Sequence, residues 1–267
     1  MLYMRGFVLE KGDYSGKIEK IDFFEGITFS STSYNRSISR GSTDHQHQNP
    51  HISLILTGQH LEKRRNSEYE RKPGDILFCR AGESHHFLTG KAARNVNIEL
   101  DSNFLKQNFI SGKKIEGSLA RIDSKLKILK MFYEFSQDDE ARETSIRILL
   151  LDLFSSGTSY SIHKPEWITS LHCLLMDNWN KTLSLEDLSG ILKIHPVTIS
   201  KYFTKYFSCT FGEYRRKIKI TKSLELVKNS SLSLTEIAYY AGFADQSHYI
   251  RNFKHYTGFT PKTFQKH

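Results

Sequence analysis

"LSLTEIAYYAGFADQSHYIRNFKHYTGFTPKTF", residues 232–264, decides how the C-terminal part of this chain folds. Ser233 precedes a helix-forming run and Glu236 lies three residues on, the spacing at which a hydroxyl and a carboxylate cap a first turn reciprocally. The run stops at Gly242-Phe243-Ala244, and Asp245 then stands where an N-cap starts a second helix. Along that helix Tyr249 and Phe253 are four apart and share one side. At about 100° per residue, Ser247, Arg251 and Lys254 fall opposite, flanked by His248. One face is therefore apolar and the other polar and basic.

The same pattern stands once more upstream. "LSLEDLSGILKIHPVTISKYFTKYF" (183–207) aligns with residues 232–256, so the chain repeats a unit of about fifty residues. Leu183, Leu185 and Leu188 match Leu232, Leu234 and Ile237, and Ile199, Phe203 and Tyr206 match Tyr249, Phe253 and Tyr256. Ser184 with Asp187 repeats the cap, Lys193–His195 is the turn, and Pro196 takes a first helical position. Even the tails "TFGEY" (210–214) and "TPKTF" (260–264) correspond. Between the two copies "FGEYRRKIKITKSLELVK" (211–228) reads as a connecting helix, about 27 Å long. That length suits two helices set near the ~34 Å repeat of a DNA major groove.

Helix, tight turn, helix is the arrangement that lays one helix in the major groove, about 12 Å wide. Gln246 sits at the start of the second copy's reading helix, where side chains reach base edges; Gln suits adenine, and Arg251 suits guanine or a phosphate. In the first copy Ile199 and Phe203 point inward and Val197, Lys201 and Thr204 outward, with Ser200 at the margin. Val197 suits a thymine methyl and Lys201 a phosphate. Charge agrees: residues 164–267 hold 15 Lys/Arg against 8 Asp/Glu, whereas residues 1–163 hold 23 against 21. A basic excess confined to the repeat points to a polyanion, and double-stranded promoter DNA is the expected partner.

Residues 165–267 resemble the DNA-binding domain of the AraC/XylS family of bacterial transcription regulators. The resemblance rests on Ile237-Ala238, Gly242-Phe243, Gln246-Ser247-His248, Arg251, Phe253, Gly258 and Pro261. In the first copy it rests on Leu188, Pro196, Ile199, Lys201 and Phe203, and departs from the pattern in the turn, which lacks the usual Gly or Ala. It implies a monomeric reading unit with two helices in adjacent major grooves, fused to an N-terminal domain that senses an effector or dimerises. RNA polymerase is then a further candidate partner.

The first hundred residues read as strands and turns. "ITFSSTSY" (27–34), "HISLILTG" (51–58), "DILFCR" (75–80) and "VNIEL" (96–100) are short, β-branched or aromatic runs separated by turns such as Pro73-Gly74-Asp75. They suit a small antiparallel barrel or sandwich. From Ile122 the apolar spacing becomes helical, in 122–136 and 143–154, and these helices are expected to form a homodimer interface. "SSGTSYSIHKP" (155–165) reads as a linker. The expected class is α+β: a sensor and dimerisation domain over 1–160, with an antiparallel barrel and flanking helices, and an all-α DNA-binding domain over 165–267.

Within the barrel region His45, His47 and His51 lie close in sequence. Gly41, His45, His47, His51 and Gly58 resemble the first motif of cupin barrels, with His51 where a metal-binding cupin has Glu. "GDILFCRAGESH" (74–85) resembles the second, with Arg80 replacing its Pro and His85 at the remaining ligand position. Imidazoles on neighbouring strands of a small barrel converge on its interior. A four-His set without a carboxylate is unusual for a metal, so His45, His47, His51 and His85 are expected to line the pocket of a small-molecule effector. No cofactor and no catalytic residue is assigned. The rival readings are a cupin-type metal-dependent enzyme with an appended DNA-binding domain, and a DNA-binding regulator that needs no effector.

Composition removes other classes. The longest apolar runs, such as "ILLLDLF" (148–154), fall far short of the ~20 residues a bilayer needs, so no membrane partner is expected. The start "MLYMRGFVLEKGD" is too short in apolar residues for a secretory signal, which places the chain in the cytoplasm. Cys79, Cys173 and Cys209 are odd in number and far apart, and read as buried small hydrophobes rather than a disulfide or zinc framework.

Overall fold

The computed structural model describes residues 7–35, 44–64, 67–89, 92–155 and 165–267. Gly41 of the first barrel motif and residues 156–164 of the expected linker lie outside them. The chain forms two compact units, one of Met1–Ala120 with Glu134–Ile148 and the other of Arg121–Tyr133 with Leu149–His267. Among the described residues no helix is long and apolar enough to cross a membrane.

Among the described residues the first unit has ten strands: β1 (Phe7–Leu9), β2 (Lys17–Phe24), β3 (Ile27–Tyr34), β4 (His45–His47), β5 (His51–Thr57), β6 (His60–Arg64), β7 (Ser67–Arg71), β8 (Ile76–Cys79), β9 (His86–Thr89) and β10 (Ala93–Leu100). They form a five-stranded sheet in the order β2-β3-β10-β5-β8, a three-stranded sheet β7-β6-β9 and a pair β1-β4. The expected strands fall on β3, β5, β8 and β10. All pairings are antiparallel except β1 with β4, which is parallel and so departs from an all-antiparallel barrel. Two short helices, α1 (Ser102–Gln107) and α2 (Gly112–Leu119), follow; both are too short for a helical period to show in sequence.

Register decides what the sheet encloses. Residues directly opposite across a ladder share a face. Pairing Thr28↔Glu99, Ser30↔Asn97 and Thr32↔Asn95, and then Glu99↔His51, Asn97↔Ser53 and His51↔Cys79, puts all of these on one side. Ile27, Phe29, Val96, Ile98, Leu100, Ile52 and Leu54 take the other. Both sides are buried. The apolar side is covered by helical residues, with Phe135 stacked 4.7 Å from Phe29 and Lys20 Nζ donating to the Phe135 carbonyl at 2.7 Å. The polar side faces the β6 hairpin, where Asn95 Oδ1 accepts from His60 Nε2 at 3.1 Å and Tyr34 meets His60 edge-on at 5.0 Å. The interior of the barrel is thus its polar face.

The second unit is helical. It takes in α3 (Ser124–Ser136) up to Tyr133 and α4 (Arg142–Ser155) from Leu149, the rest of these two helices belonging to the first unit, and then α5 (Glu166–Asp177), α6 (Leu185–Leu192), α7 (Pro196–Phe207), α8 (Phe211–Asn229), α9 (Leu234–Tyr240), α10 (Gln246–Thr257) and α11 (Pro261–Lys266). α6-α7 and α9-α10 are the two copies of the repeat, and α8 is the expected connector. Leu171, Leu175, Leu188, Ile199, Phe203, Tyr214 and Ile218 form the core of the first copy, with Ile122 packed against it. Phe132 and Tyr133 pack on Phe259, 5.5 and 5.1 Å between ring centroids. The segment 121–133 is therefore part of the helical unit's core. Most apolar side chains of α3 and α4 are buried within the chain, and Ile148 is the large exposed one among them.

Candidate DNA interface and effector pocket

Each helix of the two pairs is started by its own sequence. Capping boxes form at the starts of α6 and α9, Ser184 with Asp187 and Ser233 with Glu236, each hydroxyl accepting from a backbone N–H while the carboxylate accepts from the cap residue. The same hydrogen bonds hold the Asp187 and Glu236 carboxyls below their ordinary range. α7 starts with Pro196 in its first turn, behind the His195 cap, and Asp245 caps α10 by accepting from the His248 N–H at 2.7 Å. In the turns Gly242 has φ +73, and the corresponding Lys193 has φ +57. Lysine thus adopts the left-handed conformation that glycine supplies in the second copy, which is why the first copy keeps the motif without its Gly.

Burial sorts the helix faces as the sequence implied. Ile199, Phe203, Tyr249 and Phe253 are buried, while Val197, Ser200, Lys201, Thr204, Ser247, Arg251 and Lys254 are exposed. Gln246 and His248 are half-buried. The Gln246 amide oxygen accepts from the Thr235 hydroxyl at 2.7 Å, and the His248 ring packs edge-on against Phe243 at 5.4 Å. Two exposed residues of α7 escaped the sequence reading. Lys205 lies 5.7 Å over the Tyr202 ring, and Lys201 5.8 Å over the same ring, so Tyr202 ties two cations into one patch. The i, i+3 and i+4 spacing of 201, 202 and 205 was the available signal.

In the first unit the four histidines come together. His45 and His47 project from β4, His51 from β5, and His85 is held by reciprocal backbone hydrogen bonds to His45 at 3.0 Å. Ring centroids are 4.0 Å apart for His47–His51, 4.6 Å for His45–His85 and 5.3 Å for His47–His85, and all four side chains are buried. Burial, then the charge of neighbouring imidazoles, pushes His47 down to about 3. Burial likewise takes His85 down to about 4 and His51 well below its ordinary value. His47, His51 and His85 are therefore held toward the neutral form, in which imidazole accepts hydrogen bonds or ligates metals.

Around the histidines lies a polar wall that the sequence did not disclose. Asn97 Nδ2 donates to Ser30 Oγ at 3.2 Å and Thr32 Oγ1 at 3.1 Å, and its Oδ1 accepts from Ser53 Oγ at 2.6 Å. Glu99 accepts from the Gly12 N–H at 2.9 Å and from Asn49 Nδ2 at 2.8 Å. Glu62, fully buried, pairs with Arg64 and Arg71. Among the described residues Thr28 Oγ1, His51 Nδ1 and His60 Nδ1 are buried without a hydrogen-bond partner. Such groups are costly unless something occupies the space beside them.

Two of the cysteine expectations hold and one does not: Cys79 and Cys209 are buried, whereas Cys173 is exposed. The ligand atoms of His45, His47 and His85 lie within 4.8 Å of one another, as do those of His51, Cys79 and His85. Either donor set could hold a metal ion, although neither includes a carboxylate.

Comparison with known proteins places both units. Residues 31–153 match the AraC-like ligand binding domain and residues 188–267 a helix-turn-helix domain. The chain is 22% identical to the HTH-type transcriptional regulator YdeC of Bacillus subtilis over 88% of its length and 90% of the relative's. It is 20% identical to the transcriptional activator RhaR of Cronobacter sakazakii over 93% and 95%. Against GbdR of Pseudomonas aeruginosa it is 25% identical, but that match spans 33% of the chain and 24% of the relative. A crystal structure of ToxT from Vibrio cholerae aligns over 90% of this chain and 98% of its own, at 16% identity and a TM-score of 0.38. With a ligand-binding domain of this family followed by its tandem reading helices, the chain belongs to the AraC-type helix-turn-helix transcriptional regulators.

Proposed function

We propose that the protein reads double-stranded promoter DNA with α7 and α10, and that a small ligand held in the polar barrel interior shifts its affinity for that DNA. The reading helices are supported by their exposed faces: Val197, Ser200, Lys201 and Thr204 on α7, and Gln246, Ser247, His248, Arg251 and Lys254 on α10. The observation that carries the ligand is the buried polar wall around His45, His47, His51 and His85, with donors and acceptors left for an occupant. The work of this pocket is binding rather than turnover. A ligand acts on DNA affinity only through different affinities for two states of the protein.

The functional division is taken at residues 1–160 for sensing and 165–267 for DNA binding, with the protein acting in the cytoplasm as a homodimer. The exposed Ile148 on α4 supports that assembly, and RNA polymerase is the partner through which bound regulator alters transcription. DNase footprinting on fragments selected by the full-length protein tests the reading. Protection of two major-groove faces about one helical turn apart is expected, altered by candidate metabolites or metal ions. Uniform protection of any DNA, unchanged by every ligand, would refute it.

A further inference from the structure

Cys79 is buried as its sequence context leads one to expect, but the side chains beside it are imidazoles. Strand register sets Cys79 of β8 directly opposite His51 of β5, with both side chains on the polar face of the sheet. Cys79 Sγ lies 3.8 Å from His85 Nε2, and the donor atoms of His51, Cys79 and His85 are all within 4.8 Å of one another. In a tetrahedral nitrogen–sulfur site, with metal–nitrogen bonds of about 2.0 Å and metal–sulfur bonds of about 2.3 Å, donor atoms are roughly 3.5 Å apart. Side-chain movements of about an ångström close the difference.

We infer that Cys79 is a metal ligand, and that with His51 and His85 it holds one late first-row transition-metal ion, of the zinc class, at the histidine end of the barrel interior. The inference rests on reading that interior as the effector pocket, and names the chemical class of what it takes.

Four features support the site. His85 Nδ1 lies 3.1 Å from the Glu83 carbonyl, which can only accept, so Nδ1 carries the proton and Nε2 presents its lone pair toward Cys79. A backbone carbonyl fixing the tautomer in this way is the usual outer partner of a metal-ligating histidine. His51 Nδ1 is buried with no hydrogen-bond partner among the described residues. Arg64 Nη2 lies 3.5 Å from Cys79 Sγ, where its positive charge favours the thiolate that a metal demands. The Arg64 charge would oppose a cation, and it is already met by Glu62 and by Glu83 at 2.8 Å.

The stoichiometry follows from His85. It belongs to both donor sets, His51–Cys79–His85 and His45–His47–His85, and has a single nitrogen to give. One ion is held, and the second set supplies its remaining ligand. Imidazole and thiolate donors without a carboxylate favour zinc, cobalt, nickel or copper over magnesium, calcium or manganese.

The test uses full-length, tag-free, reduced and metal-stripped protein titrated with Co2+. One equivalent should bind with a strong thiolate-to-cobalt charge-transfer band in the near ultraviolet, displaced by one equivalent of Zn2+. Cys173→Ser with Cys209→Ser should keep the band, which assigns it to Cys79 without altering the site; Cys79→Ser should lose it. Cobalt bound with no charge-transfer band would overturn the thiolate ligand, and no binding at micromolar Co2+ would overturn the site. DNA affinity, measured by fluorescence anisotropy with and without Zn2+ on a selected fragment, separates the two proposals. A thiolate-ligated ion that leaves DNA affinity unchanged supports the metal site and removes its effector role. DNA affinity that responds to an organic ligand in protein unable to bind metal keeps the regulator and overturns the metal.

Discussion

Replacing Gly242 with alanine should unfold the second reading pair at much lower denaturant, whereas the reciprocal change Lys193→Gly should stabilise the first. Gly242 sits at φ +73, and a Cβ placed there meets the Asn180 carbonyl oxygen at 2.4 Å and Lys219 Nζ at 2.9 Å. Left-handed backbone costs an L-residue about 1–2 kcal/mol, of which reduced freedom of the unfolded chain returns about 0.4–1. A contact of 2.4 Å with a backbone carbonyl cannot be relieved by a rotamer change. The turn must move, and with it goes the hydrogen bond from Lys219 to the Gly242 carbonyl, of a charged class whose loss costs roughly 1.5–3 kcal/mol. The sum is on the order of 3 kcal/mol. At Lys193, exposed and at φ +57, the same left-handed cost is already present and glycine removes it. After glycine's greater entropy loss on folding, a gain of about 0.5–1 kcal/mol remains. Urea unfolding followed by tryptophan fluorescence measures both, because the chain's two tryptophans, Trp167 and Trp179, lie in the helical unit. A neutral Gly242→Ala, or a destabilising Lys193→Gly, would show that left-handed turns do not set these helix pairs.

Arg251→Ala should weaken specific DNA binding by roughly 1–3 kcal/mol and relax preference at one base pair; selection of sites by the variant reads both. Lys201→Ala should lower affinity for all sequences and flatten the salt dependence by about one unit, which anisotropy titrations at several salt concentrations measure. His47→Gln combined with His85→Gln should abolish the response of DNA affinity to ligand while leaving basal binding intact, since neither residue belongs to the helical unit. A fragment of residues 165–267 should sediment as a monomer, bind DNA more weakly than the full chain, and melt at lower temperature because it lacks the packing of Phe132 and Tyr133 on Phe259.

The DNA-binding half was legible in the sequence because its determinants are local. Ser233 and Glu236 meet within one turn, Tyr249 and Phe253 lie one turn apart, and Asp245 bonds to an N–H three residues away. A second copy at nearly constant offset repeats the evidence, and the charge excess is a property of composition. The four histidines were also visible, as residue types at a spacing. Only tertiary structure decided what surrounds them. Every residue of β3 from Ile27 to Thr32 is buried, so alternation in the sequence could not say which face is interior. The pairing of Thr28, Ser30 and Thr32 with Glu99, Asn97 and Asn95 turns the polar residues inward, and the pairing of Cys79 with His51 puts a thiol among imidazoles. Those partners lie between 28 and 71 residues apart, and no local pattern carries information over such distances. The same reason hid the membership of residues 121–133 in the helical unit: Phe132 reads as one face of an amphipathic helix, and only the folded chain supplies Phe259 as the surface it covers.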